Sequence, residues 1–230
     1  VGVKENGVYD LAGNGNAASA AQSRFYDNTP PTDPVFTDKP AKLTNEPGFV
    51  FTASSTDNSG TVFYHWTLNE SEPDATSATL QGVAVEGTNT VSVYTTDPAG
   101  NRSAGTATWT WVLDTVPPEV EAFRGDRAAK FNSGAVTVTV QFSEEAFDFD
   151  TAKVAIGGNA AAGTASGSGD TWTFPVTPGA EGRFTVTLAA GAAKEAAGNE
   201  STASETELSY EYDTTPPSVL LSADKDERFN

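Results

Sequence analysis

Short stretches in which Val, Thr, Phe, Tyr or Trp alternate with small polar residues recur along the chain. They include Thr90-Val-Ser-Val-Tyr-Thr, Ala107-Thr-Trp-Thr-Trp-Val, Val136-Thr-Val-Thr-Val-Gln-Phe and Phe184-Thr-Val-Thr-Leu. A period of two sends every second side chain to one face, the signature of a half-buried strand. Clusters of Gly, Asn, Asp and Pro interrupt these stretches about every ten residues, and no segment carries a helical stripe. The pattern predicts an all-β fold built from sandwiches of about seven strands each.

Two phrases recur in a fixed order. An acid followed two residues later by Ala-Gly-Asn appears at Asp10 to Asn14, Asp97 to Asn101 and Glu195 to Asn199. An Asp ahead of a double proline appears in YDNTPP from Tyr26, LDTVPP from Leu113 and YDTTPP from Tyr212. The phrase acid precedes the proline-side Asp by 17, 17 and 18 residues, and the double prolines fall 87 and 99 residues apart. A module is therefore repeated, with the proline phrase as its joint. Whole modules are expected at 29–115 and 116–215. Residues 1–28 correspond to the last two strands of a preceding repeat, since Val1 to Asn14 aligns with Val186 to Asn199 without a gap. Residues 216–230 correspond to the first strand of a following one, with Ser218-Val-Leu-Leu standing where Glu119-Val-Glu-Ala stands. Consecutive prolines fix φ and favour a stiff, extended connection, so the modules are expected to stack end to end.

Composition narrows the function classes. The 230 residues carry 13 basic and 31 acidic side chains, a net charge of −18, which argues against nucleic acid and anionic lipid as partners. It suits a surface that recruits cations. Without cysteine, each module must stand on packing, or on packing plus a metal. There is no apolar run of membrane-spanning length, no signal peptide and no methionine, so the chain reads as an internal slice of a longer polypeptide.

An Asp-Thr-x-Pro-Pro phrase opening the first strand, Phe142-Ser-Glu-Glu after the second and acid-x-Ala-Gly-Asn after the sixth together resemble bacterial immunoglobulin-like repeats of large surface adhesins. The resemblance implies tandem immunoglobulin-like β-sandwiches arranged end to end, a monomeric extender that carries a binding tip away from the cell, and calcium between modules. The second module matches the pattern more fully. The first has Ser55-Thr-Asp-Asn-Ser-Gly in place of Phe-Ser-Glu, and the phrase at 195 carries Glu where the other two carry Asp.

In such a sandwich, the strand from Asn101 to Asp114 covers 13 steps, or on the order of 40 Å. Asp97 and Asp114 then lie at opposite ends of one module, and each proline-side Asp meets the Ala-Gly-Asn turn of the module that follows it. At the central joint this gathers Asp114, Glu144, Glu145, Glu195 and Asn199, with Glu86 closing the set. At the upstream joint it gathers Asp27, Asp57, Asn58, Asp97 and Asn101. Converging carboxylates without nearby Lys or Arg repel one another, and a hard divalent cation taking ~6–8 oxygens removes the conflict. Calcium tolerates irregular loop geometry, whereas zinc finds no Cys and a single His. A second reading stays open: Asp-x-Ala-Gly-Asn is also a tight turn, with Gly or Asn at positive φ and the Asp capping backbone N–H groups.

Other residues weigh less. His65 falls within a strand with no nucleophile phrase near it. Trp66, Trp109, Trp111 and Trp172 are expected to pack in the sandwich cores, with a carbohydrate-stacking face as the alternative. Asp148 and Asp150 read as a solvated loop or a secondary cation site, and Ala160 to Gly169 as a surface loop. No nucleophile, acid/base pair or phosphate loop is present. The expected role is a structural stalk of a secreted or cell-surface protein, partnered by calcium and by neighbouring repeats of its own chain. The rivals are a glycan- or protein-binding module and a passive spacer in a secreted hydrolase.

Overall fold

The computed structural model describes residues 2–21, 26–73 and 75–221. The chain forms two compact units. One comprises Val1–Ala41, Gly48–Ala84 and Thr88–Trp111; the other comprises Lys42–Pro47, Val85–Gly87 and Val112–Asn230. The architecture is all-β, with four sheets forming two immunoglobulin-like sandwiches. The acidic run Asp224-Lys-Asp-Glu lies outside the described residues.

The strands of the first sandwich are β1 (Val35–Asp38), β2 (Leu43–Thr44), β3 (Gly48–Ser54), β4 (Phe63–Leu68), β5 (Thr79–Val83), β6 (Gly87–Thr96) and β7 (Ala107–Leu113). They pair in the orders β1-β3-β5 and β2-β7-β6-β4. Period-two alternation drives this arrangement: along β6, Asn89, Val91, Val93 and Thr95 are buried while the residues between them are half-exposed. Phe51 and Trp111 meet at 5.2 Å between ring centroids, and Phe49 closes on Trp111 at 5.6 Å. Trp66 is buried on the same core and donates its indole N–H to the Ser77 carbonyl.

The second sandwich runs through β8 (Val120–Gly125), β9 (Lys130–Phe131), β10 (Val136–Phe142), β11 (Val154–Gly158), β12 (Ala160–Ala162), β13 (Ser166–Ser168), β14 (Thr171–Pro178), β15 (Gly182–Leu188) and β16 (Leu208–Tyr212). One sheet has the order β12-β14-β10-β8, with β13 also on β14, and the other has the order β11-β15-β16-β9. Val136, Val138, Val140 and Phe142 of β10 enter a core that contains Phe174, Val176, Phe184, Val186 and Leu188. Burying such side chains contributes roughly 1.5–3 kcal/mol each.

One sequence expectation needs correction. Ala160 to Gly169 is not a plain surface loop: it supplies β12 and β13, which pair with opposite ends of β14. The break between them falls beside Pro175, which has no N–H to donate to a neighbour. Gly163 instead donates to the Pro175 carbonyl at 2.7 Å, and a Cβ on Gly163 would stand 2.8 Å from the proline ring. In residues 2–21 the chain doubles back over the Ala-Gly-Asn turn, with an antiparallel Tyr9 to Gly15 bridge and backbone hydrogen bonds from Asn6 to Asn16, from Asn16 to Val8 and from Ser19 to Val3. Val219, Leu220 and Leu221 are exposed.

Candidate metal centre

All three Ala-Gly-Asn phrases fold into one turn. The acid's N–H donates to the Asn carbonyl at 3.0, 3.1 and 3.2 Å for Asp10, Asp97 and Glu195, and the Gly N–H donates back to the acid's carbonyl at 3.1 Å in each. The glycines take φ of 85° (Gly13), 91° (Gly100) and 102° (Gly198), a region that L side chains rarely adopt. In the Asp copies one carboxylate oxygen accepts the Asn backbone N–H and the other the Asn side-chain amide. For Asp97 these distances are 2.8 and 2.7 Å. Burial works against the Asp97 charge. The Asn101 amide and N–H, with the N–H groups of Ala99 and Gly100, outweigh it and hold the carboxyl below its usual range.

The proline-side acids also share a geometry. Asp27, Asp114 and Asp213 each accept the N–H two residues on, from Thr29 at 3.0 Å, Val116 at 3.1 Å and Thr215 at 3.0 Å. The Ala-Gly-Asn turns reach two of these phrases through their Asn side chains. Asn101 Nδ2 donates to the Asp27 carbonyl at 3.1 Å, and Asn199 Nδ2 donates to the Asp114 carbonyl at 2.7 Å.

In the first unit this brings Asp27, Asp57 and Asp97 together, with one carboxylate oxygen of each within 4.8 Å of the others. Among the described residues, it is the group of acids that meets that spacing. Asp97 is buried and Asp27 and Asp57 are half-buried. Asp27 Oδ2 and Asp57 Oδ1 are screened from solvent and accept no hydrogen bond. Such buried, unsatisfied anionic oxygens are costly without a counter-charge, and the described ion pairs bring no Lys or Arg to them. Asn58 and Asn101 turn their amide N–H groups toward the acids, Asn58 Nδ2 donating to Asp27 Oδ1 at 3.3 Å. The two Asn side chains organise the acids by hydrogen bonding. The donor set is all oxygen and anionic, which fits calcium.

In the second unit the corresponding acids are Asp114, Glu144 and Glu195. Glu144 stands after β10 as Asp57 stands after β3. Its carboxyl is pushed up, first by burial and then by the charges of Asp114 and Glu195. Glu145 is exposed. Glu195, one methylene longer than Asp97, accepts the N–H of Asn199 on Oε1 at 2.7 Å and that of Ala197 on Oε2. Glu86 holds the linker: its carboxylate accepts the Thr115 N–H at 3.2 and 3.3 Å and the Thr115 hydroxyl at 2.8 Å. Glu181 does the same one module on, accepting the hydroxyls of Thr214 and Thr215 and the Thr214 N–H, which together hold its carboxyl below its usual range. Sequence reasoning passed over Glu181. A Glu-Gly pair opening a strand at both 86–87 and 181–182 is the signal that marks it.

The tryptophans offer no open platform. Trp66 and Trp111 are buried, Trp109 carries Lys39 Nζ 3.5 Å above its ring, and Trp172 stacks on Phe149 at 5.7 Å. Tyr94 stacks on His65 at 4.6 Å and holds the Arg102 guanidinium at 3.7 Å, so both faces of its ring are covered.

Residues 114–212 match the bacterial Ig-like domain family. No curated protein matches the chain. Among solved structures, it is similar to a Bacteroides ovatus protein, SGBP-B of a mixed-linkage glucan utilization locus, solved with a mixed-linkage heptasaccharide. That match has 15% identity and a TM-score of 0.31, covering 77% of this chain and 47% of the other. The chain thus spans about half the length of that protein. It is also similar to the mouse nectin-like molecule 4 ectodomain, with 14% identity and a TM-score of 0.32, over 84% of this chain and 67% of the other.

Proposed function

Because residues 114–212 belong to the bacterial Ig-like domain family, we propose that this chain is an extender segment of a secreted or cell-surface bacterial protein. Calcium bound by Asp27, Asp57 and Asp97 stiffens it. The observation that carries this reading is the trio of carboxylates within 4.8 Å of one another, two of them with buried oxygens that accept no hydrogen bond. A divalent cation supplies the missing positive charge and is shared between the proline phrase, through Asp27, and the body of the sandwich, through Asp57 and Asp97. Binding free energy released only in that arrangement fixes the phrase to the sandwich. Without the cation, carboxylate repulsion loosens it.

The covered tryptophans and the covered Tyr94 ring favour a spacer over a glycan-gripping module, which needs a free aromatic face. The match of residues 114–212 to a bacterial Ig-like domain supports surface or secreted placement.

Thermal unfolding and small-angle scattering in EDTA and in millimolar calcium test the reading, with Asp57→Ala alongside. Calcium is expected to raise the melting temperature and lengthen the particle, and Asp57→Ala to remove both effects. An unchanged melting temperature and scattering profile in calcium would reduce the repeated phrases to turn chemistry.

A further inference from the structure

We infer that Ser55 is a positioning residue for the Asp27, Asp57 and Asp97 cluster, because its hydroxyl ties together the three chain segments that carry those acids. The inference rests on reading the cluster as a calcium site. It concerns what holds three like charges within 4.8 Å of one another before a cation arrives.

Each acid lies a few residues from one knot of hydroxyls. Ser55 stands two residues before Asp57, Thr95 two before Asp97, and Thr32 directly after the double proline that follows Asp27. Ser55 Oγ donates its one proton to the Thr32 carbonyl at 2.6 Å, so it accepts from Thr95 Oγ1 at 3.2 Å. A single oxygen thus joins all three segments. Its surroundings fix it in turn. Ser55 N–H donates to the hydroxyl of the buried Tyr64 at 3.1 Å. Thr32 and Thr56 grip each other twice, Thr56 N–H donating to Thr32 Oγ1 at 2.9 Å and Thr32 N–H to the Thr56 carbonyl at 2.9 Å. Thr95 is buried, and its N–H donates to Ser103 Oγ at 3.1 Å.

The fold itself does not demand these hydroxyls. In the second sandwich Phe142 stands two residues before Glu144, and Ala193 two before Glu195. Both are buried in the apolar core, and Ala193 N–H donates to Ser201 Oγ at 3.1 Å, as Thr95 does to Ser103. Equivalent positions therefore close over an apolar pair. A satisfied polar network adds little net stability over such packing, but it fixes distances. Here the distances fixed are those between segments whose carboxylates repel one another. A site already spaced for its ion loses less freedom on binding and so holds the ion more tightly.

Calcium titration calorimetry on the full chain, with thermal melts in EDTA, tests this on Ser55→Ala and Thr95→Val. Asn69→Ala is the control: Asn69 accepts the Thr90 N–H and donates to the Asn89 side chain, toward the other end of β6 from Thr95. All three variants are expected to fold and to melt below the wild type in EDTA. Ser55→Ala and Thr95→Val are expected to bind calcium on the order of 10-fold more weakly, and Asn69→Ala to bind it as the wild type does. Wild-type affinity in Ser55→Ala and Thr95→Val overturns the inference and leaves the calcium reading standing. An equal loss of affinity in Asn69→Ala overturns it as well, since general loosening then accounts for the change. A wild type that binds no calcium removes the calcium reading itself, and the inference with it. If either Ser55→Ala or Thr95→Val fails to fold, the other decides the matter against Asn69→Ala.

Discussion

The side-chain amide of Asn199 donates to the backbone carbonyl of Asp114 at 2.7 Å, joining residues 85 positions apart. Asn101 makes the same bond to Asp27, at 3.1 Å across 74 positions. The Asn that ends each phrase therefore reads the chain's path rather than a side chain. Any residue in place of Asp114 would present the same carbonyl, but only an amide at 199 can both sit in the turn and donate to it.

Asn199→Ala removes this bond and leaves a carbonyl without its partner. The expected loss is about 1 kcal/mol, or roughly 4–8 °C in melting temperature for a sandwich of this size. Asn199→Asp should be worse, since it sets an anion against the carbonyl oxygen beside Glu144. Thermal melts of the two variants check the order.

Gly125→Ala places a Cβ 2.0 Å from the Tyr210 hydroxyl oxygen and 2.8 Å from Val136 Cγ1. Tyr210 and Val136 are both buried, so neither can swing aside freely. Overpacking of this kind costs about 1–3 kcal/mol, measurable as a lowered urea midpoint with an unchanged m-value.

Glu144→Gln is expected to stabilise the protein at pH 7 and to have no effect near pH 4. The folded carboxyl titrates above its ordinary value, through burial and the charges of Asp114 and Glu195. Between the ordinary and the raised value the folded chain keeps a proton that the unfolded chain has released, so stability falls as pH rises through that window. Glutamine carries no such charge and escapes the loss. Melting temperatures of both proteins across pH 4–8 provide the check.

Asp57→Asn should act with opposite signs in the two conditions. In EDTA, removing one of three clustered charges relieves repulsion on the order of 1 kcal/mol and raises the melting temperature by roughly 4 °C. In millimolar calcium the variant should melt below the wild type, because the cation has lost a ligand. Differential scanning calorimetry in the two buffers shows whether the curves cross.

The long strands were legible in the sequence because β6 and β10 place a buried residue at every second position. β12 and β13 were not. Their Ala, Gly and Ser residues carry no period, and their placement is set by Pro175 on the strand they join. The bonds from Asn101 to Asp27 and from Asn199 to Asp114 join two of the Ala-Gly-Asn turns to the proline phrases that the repeat spacing pairs with them. The job of Glu86 was hidden, because nothing local ties it to a threonine 29 positions away.

In the second sandwich the short strand β9 runs parallel to the last strand, β16, pairing Lys130 with Glu211 and Phe131 with Tyr212. The chain enters this sandwich ahead of β8 and leaves it after β16. A pull on the two ends therefore drags β9 and β16 in opposite directions along their shared axis. The bonds from Glu211 to the Ala129 carbonyl at 2.7 Å and from Asp213 to the Phe131 carbonyl at 3.0 Å lie across that pull and share the load. They yield together in shear rather than one after another, so resistance to force in this sandwich resides in a patch of a few residues.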